Sequence, residues 1–285
     1  MNEKKRRLFL LIGVLLVLAG VAVRAYPTVS NWYREYTAKY EIKDYCDTVD
    51  VENKDSLTKM KDMATKYNQE LEEEGGDVSA VSYDDLLAVT DAIGFLEIPK
   101  LQVYLPIYHG AGEDVLEKGI GHMPGTSLPV GGASTHCVLS GHTGLPSAKM
   151  FTHLDDLEEG DMFYIHVLDE VLAYQVDQKK VVLPDETEDI EIIEGKDYVT
   201  LLTCFPYGVN SHRLLVRGER TSNVPSELSV QMPVEQNNQE MMAPRTVLII
   251  AGVCVGLFCI FLIWLVCRIT RGKKKDEEVR EEEEK

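Results

Sequence analysis

Two long apolar runs frame this chain, residues 8–23 and 247–267, and between them the pattern of apolar and polar positions changes character near Ile93. Before that point the spacing is helical. Met60, Met63, Ala64, Tyr67 and Leu71 fall at i, i+3, i+4, i+7 and i+11, a single apolar stripe. Trp32, Tyr36 and Tyr40 repeat every four residues on an earlier segment. Such stripes predict helix faces packed against a neighbour, and Gly75-Gly76 supplies a helix stop. Residues 77–92 carry no firm periodicity and read as a loop. From Ile93 onward, short β-type runs take over, at 94–99, 101–108, 136–140, 162–167, 171–176, 179–183, 198–203 and 213–217. Residues 167–171 read as a hairpin turn. Eight or so strands of this length, punctuated by Gly, Pro and Asp, predict a mainly β domain folded as a closed or nearly closed barrel.

The second apolar run is uncharged and spans about 32 Å as a helix, close to the roughly 30 Å hydrocarbon core of a bilayer. It is expected to cross the membrane. The first run follows Lys4-Lys5-Arg6-Arg7, as a signal sequence would. Tyr26 directly after Val23-Arg24-Ala25 makes a poor cleavage site, so an uncleaved signal anchor is expected. Arg268, Arg271 and Lys273-Lys274-Lys275 flank the far end of the second run. The positive-inside rule then places both termini in the cytoplasm and the intervening domain outside the cell membrane. The expected organisation is a basic leader (1–7), a signal anchor (8–24), a helical extension (25–76), a lid-like loop (77–92), the β domain (93–221), a polar linker (222–246), a transmembrane helix (247–267) and a charged cytoplasmic tail (268–285).

A net charge of −18 leaves no basic face to neutralise phosphates and excludes a nucleic-acid partner. Of six cysteines, Cys254, Cys259 and Cys267 lie in the second apolar run, and Cys46, Cys137 and Cys204 lie outside the cell. An odd number there leaves at least one thiol unpaired unless a bond forms between chains. No spacing suggests zinc or a calcium loop, and no metal or organic cofactor is expected.

Three residues stand out chemically. Cys204 falls where the strand over 198–203 runs out, because Pro206 offers no backbone donor for further pairing. Period-two alternation puts Cys204 on the face of Leu202 and Thr200. Arg213, near the start of the following strand, is a fixed cation able to donate to an oxyanion or a substrate carbonyl. His142, in Ser140-Gly141-His142-Thr143-Gly144, follows an apolar run, and the glycines let the backbone turn and carry the imidazole into a groove. His212 is the competing base, but alternation turns it to the face opposite Arg213. His109, His122, His136, His153 and His166 read as structural or solvated. A thiol, an imidazole and a guanidinium are the parts required for acyl transfer through a thioester.

These residues resemble the sortase family of cysteine transpeptidases. The family's Thr-Leu-x-Thr-Cys signature is matched at Thr200, Leu201, Thr203 and Cys204, with Arg213 and His142 at the family's positions. Ile98-Pro99-Lys100, Leu105-Pro106-Ile107-Tyr108-His109-Gly110 and Gly141-His142-Thr143-Gly144-Leu145-Pro146-Ser147-Ala148 are similar to the family as well. The two membrane segments and the helical extension resemble class C, the pilin-polymerising branch. The resemblance implies a closed eight-stranded sortase-type β-barrel with an N-terminal helical extension, flanked by two transmembrane helices, on a Gram-positive surface. It implies cleavage of an LPxTG-type sorting signal between Thr and Gly, a thioester on Cys204, and transfer to a lysine amine of the next pilin. Leu202, Thr203 and Phe205 become candidates for the substrate groove, and Asp84, Asp85 and Leu86 for the lid. Two departures are visible. Many class C members carry an Asp-Pro-aromatic lid, whereas Ser82-Tyr83-Asp84-Asp85-Leu86-Leu87 has no proline and no aromatic after the aspartates. Phe205 stands where a small or polar residue is common. The rival classes are a sortase that anchors proteins to peptidoglycan and a membrane-anchored pilin or adhesin. Met241-Met242-Ala243-Pro244-Arg245-Thr246, ahead of the second apolar run, is not the sorting motif the last would need.

Overall fold

The computed structural model describes residues 3–74, 82–144 and 149–223, with a few residues between 244 and 258. Gly75-Gly76, residues 77–81 and 145–148, nearly all of the polar linker and most of the second apolar run lie outside the described residues. Contacts divide the chain into two units, residues 1–27 with 239–285, and residues 28–238.

Helix α1 (Glu3–Val51) begins in the first unit, continues into the second and has Pro27 in its interior. The apolar part of α1 is the one helix among the described residues long and apolar enough to cross a membrane. The expected boundary between residues 24 and 25 falls inside this helix. It ends before Asn53, whose side-chain oxygen accepts from the Asp55 N–H (2.9 Å) and caps α2 (Lys54–Glu74).

In the second unit α1 buries Ala38, Ile42, Tyr45 and Val49, and α2 buries Leu57, Ala64, Tyr67 and Leu71. Two expectations shift here. Met63 points outward in place of Leu57, and Trp32 is 53% exposed, its ring tilted against that of Tyr36 at 5.8 Å. The buried face of α1 is set by the residues that meet the barrel, which the aromatic spacing alone does not reveal. Two polar side chains tie the helices down. The Tyr45 hydroxyl accepts from the Leu168 N–H (2.7 Å). Asn68 satisfies both backbone groups of Leu128, at 3.1 and 2.7 Å.

Eight strands follow: β1 (Ala92–Ile98), β2 (Val103–His109), β3 (Ile120–His122), β4 (Thr135–Ser140), β5 (Met162–Val167), β6 (Glu170–Val182), β7 (Asp197–Phe205) and β8 (His212–Thr221). A short helix, α3 (Glu113–Leu116), lies between β2 and β3. The strands close into a barrel in the order β1-β2-β3-β4-β7-β8-β6-β5. Leu96, Ile107, Ile120, Leu139, Phe163, Leu201 and Val216 belong to its buried core. β1 is buried along its whole length, because helices cover its outer face and Tyr45 meets Phe95 edge-on at 6.4 Å. The runs at 171–176 and 179–183 are a single strand, β6, with a bulge between Val176 and Gln178. The bulged residue, Asp177, binds Arg217 through both carboxylate oxygens at 3.1 and 2.7 Å.

Two pairs are parallel, β2 with β3 and β4 with β7; every other pair is antiparallel. The β4–β7 pair positions the site. Both strands run out at the same barrel end, and β8, antiparallel to β7, starts there.

Candidate active site

Cys204 is half-buried near the end of β7, and its register partner on β8 is Arg213. Directly opposed residues in an antiparallel pair share a face. The same face continues through Leu202 with Leu215 and Thr200 with Arg217. On the other flank β4 pairs Ser140 with Leu202, and the Gly141 N–H extends the parallel ladder to the Leu202 carbonyl at 3.0 Å. Two residues beyond Ser140 stands His142, and two beyond Leu202 stands Cys204. The topology therefore brings Cys204, His142 and Arg213 to one end of the barrel. His212, partner of Phe205, faces the other way, and its Nδ1 meets the Ser211 hydroxyl at 2.9 Å.

The loop carrying His142 is built tightly. A Cβ on Gly141 would come within 2.6 Å of the Phe151 ring and 2.8 Å of the Ile120 side chain. Gly144 has φ +76° and lies against the Tyr207 ring, where a Cβ would sit 3.2 Å away. The Phe151 N–H donates to the His142 carbonyl (3.1 Å), and the Gly144 N–H to the Thr152 hydroxyl (3.2 Å). Phe151 and Tyr207 lie in turns, where no periodicity marks them in sequence.

Charge and burial separate these groups from their chemical relatives. Arg213 donates to the carbonyls of Asn210 (3.4 Å) and His212 (3.0 Å), and among the described residues it has no carboxylate partner. Arg217 by contrast is committed to Asp177 and lies 4.2 Å over the Tyr198 ring. All three described cysteines are free. Burial pushes the Cys46 thiol up to about 11 and the Cys137 thiol well above its ordinary value, which holds both as inert thiols. Cys204 remains as the described cysteine at a strand rim. Burial likewise pushes His122 down to about 4 and lowers His109 and His136. His166 is paired with Glu97 at 2.9 Å, and His153 is exposed near Asp156. Among the described residues no group of three His, Cys, Asp or Glu side chains is arranged to hold a metal ion.

The groove candidates divide. Leu202 is half-buried on the Cys204 face. Thr203 is 2% exposed on the opposite face, its hydroxyl donating to the Gly141 carbonyl at 2.7 Å. Phe205 also alternates away from Cys204 and packs against the core, which places it off the groove wall. The lid candidates lie elsewhere as well. Residues 83–85 form one 3-10 turn whose Tyr83 hydroxyl donates to His122 Nδ1 (2.6 Å) and accepts from the Gly110 N–H (3.2 Å). His109 Nε2 donates to the Leu86 carbonyl (2.7 Å), and Leu86 and Leu87 are each 1% exposed. Asp84 and Asp85 are exposed, and among the described residues neither pairs with Arg213. The segment is a clasp on β2 and β3.

A closed eight-stranded barrel with a thiol, a guanidinium and an imidazole at one strand end has the architecture of a cysteine acyl-transfer enzyme. The family model described as the Sortase domain matches residues 96–221. The solved Clostridium perfringens sortase C, determined with the C-terminal cell wall sorting motif, is 47% identical, with a TM-score of 0.60 over 65% of this chain and 99% of that one. The solved Streptococcus pneumoniae Sortase C, described in terms of catalysis and pilin substrate specificity, is 45% identical, with a TM-score of 0.58 over 64% of this chain and 96% of that one. Sortase D of Bacillus subtilis is 33% identical over 134 residues, 46% of this chain and 65% of that protein, just under two thirds of its length. The chain belongs to the sortase family of cysteine transpeptidases, and its solved relatives place it in class C.

Proposed function

We propose that the protein polymerises pilins. It cleaves an LPxTG-type sorting signal and joins the new acyl end to a lysine amine of another subunit. The observation that carries this reading is the coincidence of Cys204, Arg213 and His142 at one barrel end with 45–47% identity to sortase C structures across almost their whole length.

The roles follow from the groups. Cys204 as thiolate attacks the threonine carbonyl of the sorting signal, forming a C–S bond and a tetrahedral oxyanion. Arg213, opposite Cys204 and uncommitted to any described carboxylate, donates to that oxyanion. His142 protonates the departing glycine amine as the C–N bond breaks. A lysine amine then attacks the thioester carbonyl, gives up a proton to the neutral imidazole, and expels the Cys204 thiolate. Leu202 lines the face on which the peptide lies. The apolar part of α1 anchors the enzyme in the cell membrane, with the basic leader in the cytoplasm and the barrel outside. The second apolar run completes a two-span topology with both termini inside.

The test uses the full-length protein in detergent with an LPxTG-type peptide and a recombinant pilin. Mass spectrometry should find a thioester on Cys204, and lysine isopeptide ladders should grow with time. A thioester that persists in Cys204→Ala would sink the nucleophile assignment. Attachment to peptidoglycan amines without ladders would move the enzyme to the anchoring class.

A further inference from the structure

We propose that Thr203 is a positioning residue that sets His142 relative to Cys204 through the Gly141 peptide. The inference rests on the roles given above to Cys204 and His142, and assigns a task to the strand residue directly ahead of the nucleophile. Thr203 immediately precedes Cys204, and Gly141 immediately precedes His142. The Thr203 hydroxyl reaches the Gly141 carbonyl at 2.7 Å, across 62 residues of chain. Both ends of this bond are buried.

The rest of the Gly141 peptide is held equally firmly. Its N–H donates to the Leu202 carbonyl at 3.0 Å, so both polar groups of Gly141 are bound by the two residues ahead of Cys204. The Phe151 ring and Ile120 close the space on the other side, where even a Cβ would collide at 2.6–2.8 Å. The next carbonyl, that of His142, is fixed by the Phe151 N–H at 3.1 Å. The backbone ahead of His142 is thereby set by the strand that carries the nucleophile and the carbonyl after it by Phe151, and the imidazole keeps its own torsions.

A direct contact of Thr203 with substrate does not fit this geometry. Thr203 pairs with Leu214 and alternates away from Cys204, so a peptide on the Cys204 face meets Leu202 and not Thr203. Removing the hydroxyl leaves a buried carbonyl unsatisfied, and the loop must move to recover a partner. A displacement of about 1 Å at a catalytic group costs roughly a hundredfold in rate.

The experiment compares full-length wild type, Thr203→Val, Thr203→Ser and Thr203→Ala in detergent, using an LPxTG-type peptide and a lysine-bearing acceptor. Thr203→Val should lower kcat by about a hundredfold with KM within about twofold, and Thr203→Ser should recover most of the loss. Unchanged kcat in Thr203→Val would overturn the proposal, and so would a rise in KM at constant kcat, which would mark a substrate contact. If Thr203→Val does not fold, Thr203→Ala and Thr203→Ser are compared at equal folded fraction; equal kcat values overturn the proposal. His142→Ala and Cys204→Ala run alongside. Wild-type turnover in His142→Ala would remove the parent reading and the proposal together, whereas a Thr203 series without effect would remove the proposal alone.

Discussion

His142 and His122, both histidines of the barrel, have opposite fates. His122 is fully buried, with Nδ1 accepting from the Tyr83 hydroxyl at 2.6 Å and Nε2 donating to the Ser127 carbonyl at 2.9 Å. Every polar atom of its ring is occupied by protein. His142 sits beyond the end of its strand, half-buried, with its backbone fixed. The same contrast separates Arg217, locked onto Asp177, from Arg213, and Cys137 from Cys204. Satisfied polar groups hold this barrel together. At the shared end of β4 and β7, Arg213 has no carboxylate partner among the described residues, which leaves its charge available to a substrate.

The sharpest way to break this comparison is at the thiol. Cys204→Ala should abolish the thioester and all turnover, whereas Cys137→Ala should keep both; mass spectrometry with sorting peptide reads each. Next comes the cation. Arg213→Ala should lower kcat by roughly 10²–10³, about 2.7–4 kcal/mol, if it stabilises the oxyanion. Arg217→Ala should act instead on thermal stability, and single-turnover kinetics with melting curves tell the two apart. A third effect is pH-dependent. His122 has its pKa lowered from 6.5 to about 4 by burial. Between those values the unfolded chain binds a proton that the folded chain refuses. Stability is therefore full above about pH 6.5 and falls by roughly 3 kcal/mol on acidification toward pH 4. Denaturant titrations across that range should show the loss, and His122→Asn should remove the His122 share of it, leaving that of His109 and His136. Smallest, Tyr83→Phe should cost about 1–3 kcal/mol of stability by leaving buried His122 Nδ1 without its donor. Its turnover should match wild type.

Much of the site is legible in sequence because period-two alternation is strict inside strands. It sets Arg213 and His212 on opposite faces, and the register then puts Arg213 opposite Cys204. Other features leave no such trace. β3 has three residues with a glycine at its centre, too short to show a pattern. Asp177 breaks the alternation of β6 and makes one strand read as two. On α1 the buried face includes Ala38 and Tyr45, residues that do not distinguish it from the Trp32 and Tyr36 face until the barrel is in place. The lid-like segment reads as a cover for the cysteine, yet Tyr83 and Leu86 find their partners on His122 and His109. Those partners are remote in sequence and are fixed only by the closure of the barrel.

The parallel pairing of β4 with β7 has a consequence in time as well as in space. Gly141 and Thr203 meet across 62 residues, and β5 and β6 must be laid down between them before either strand finds the other. Closing contacts so distant along the chain costs loop-closure entropy and slows folding. A chain still folding thus carries its cysteine unpoised until nearly the whole barrel has closed. In a refolding experiment, the ability to form the thioester should appear with the last, global phase of structure.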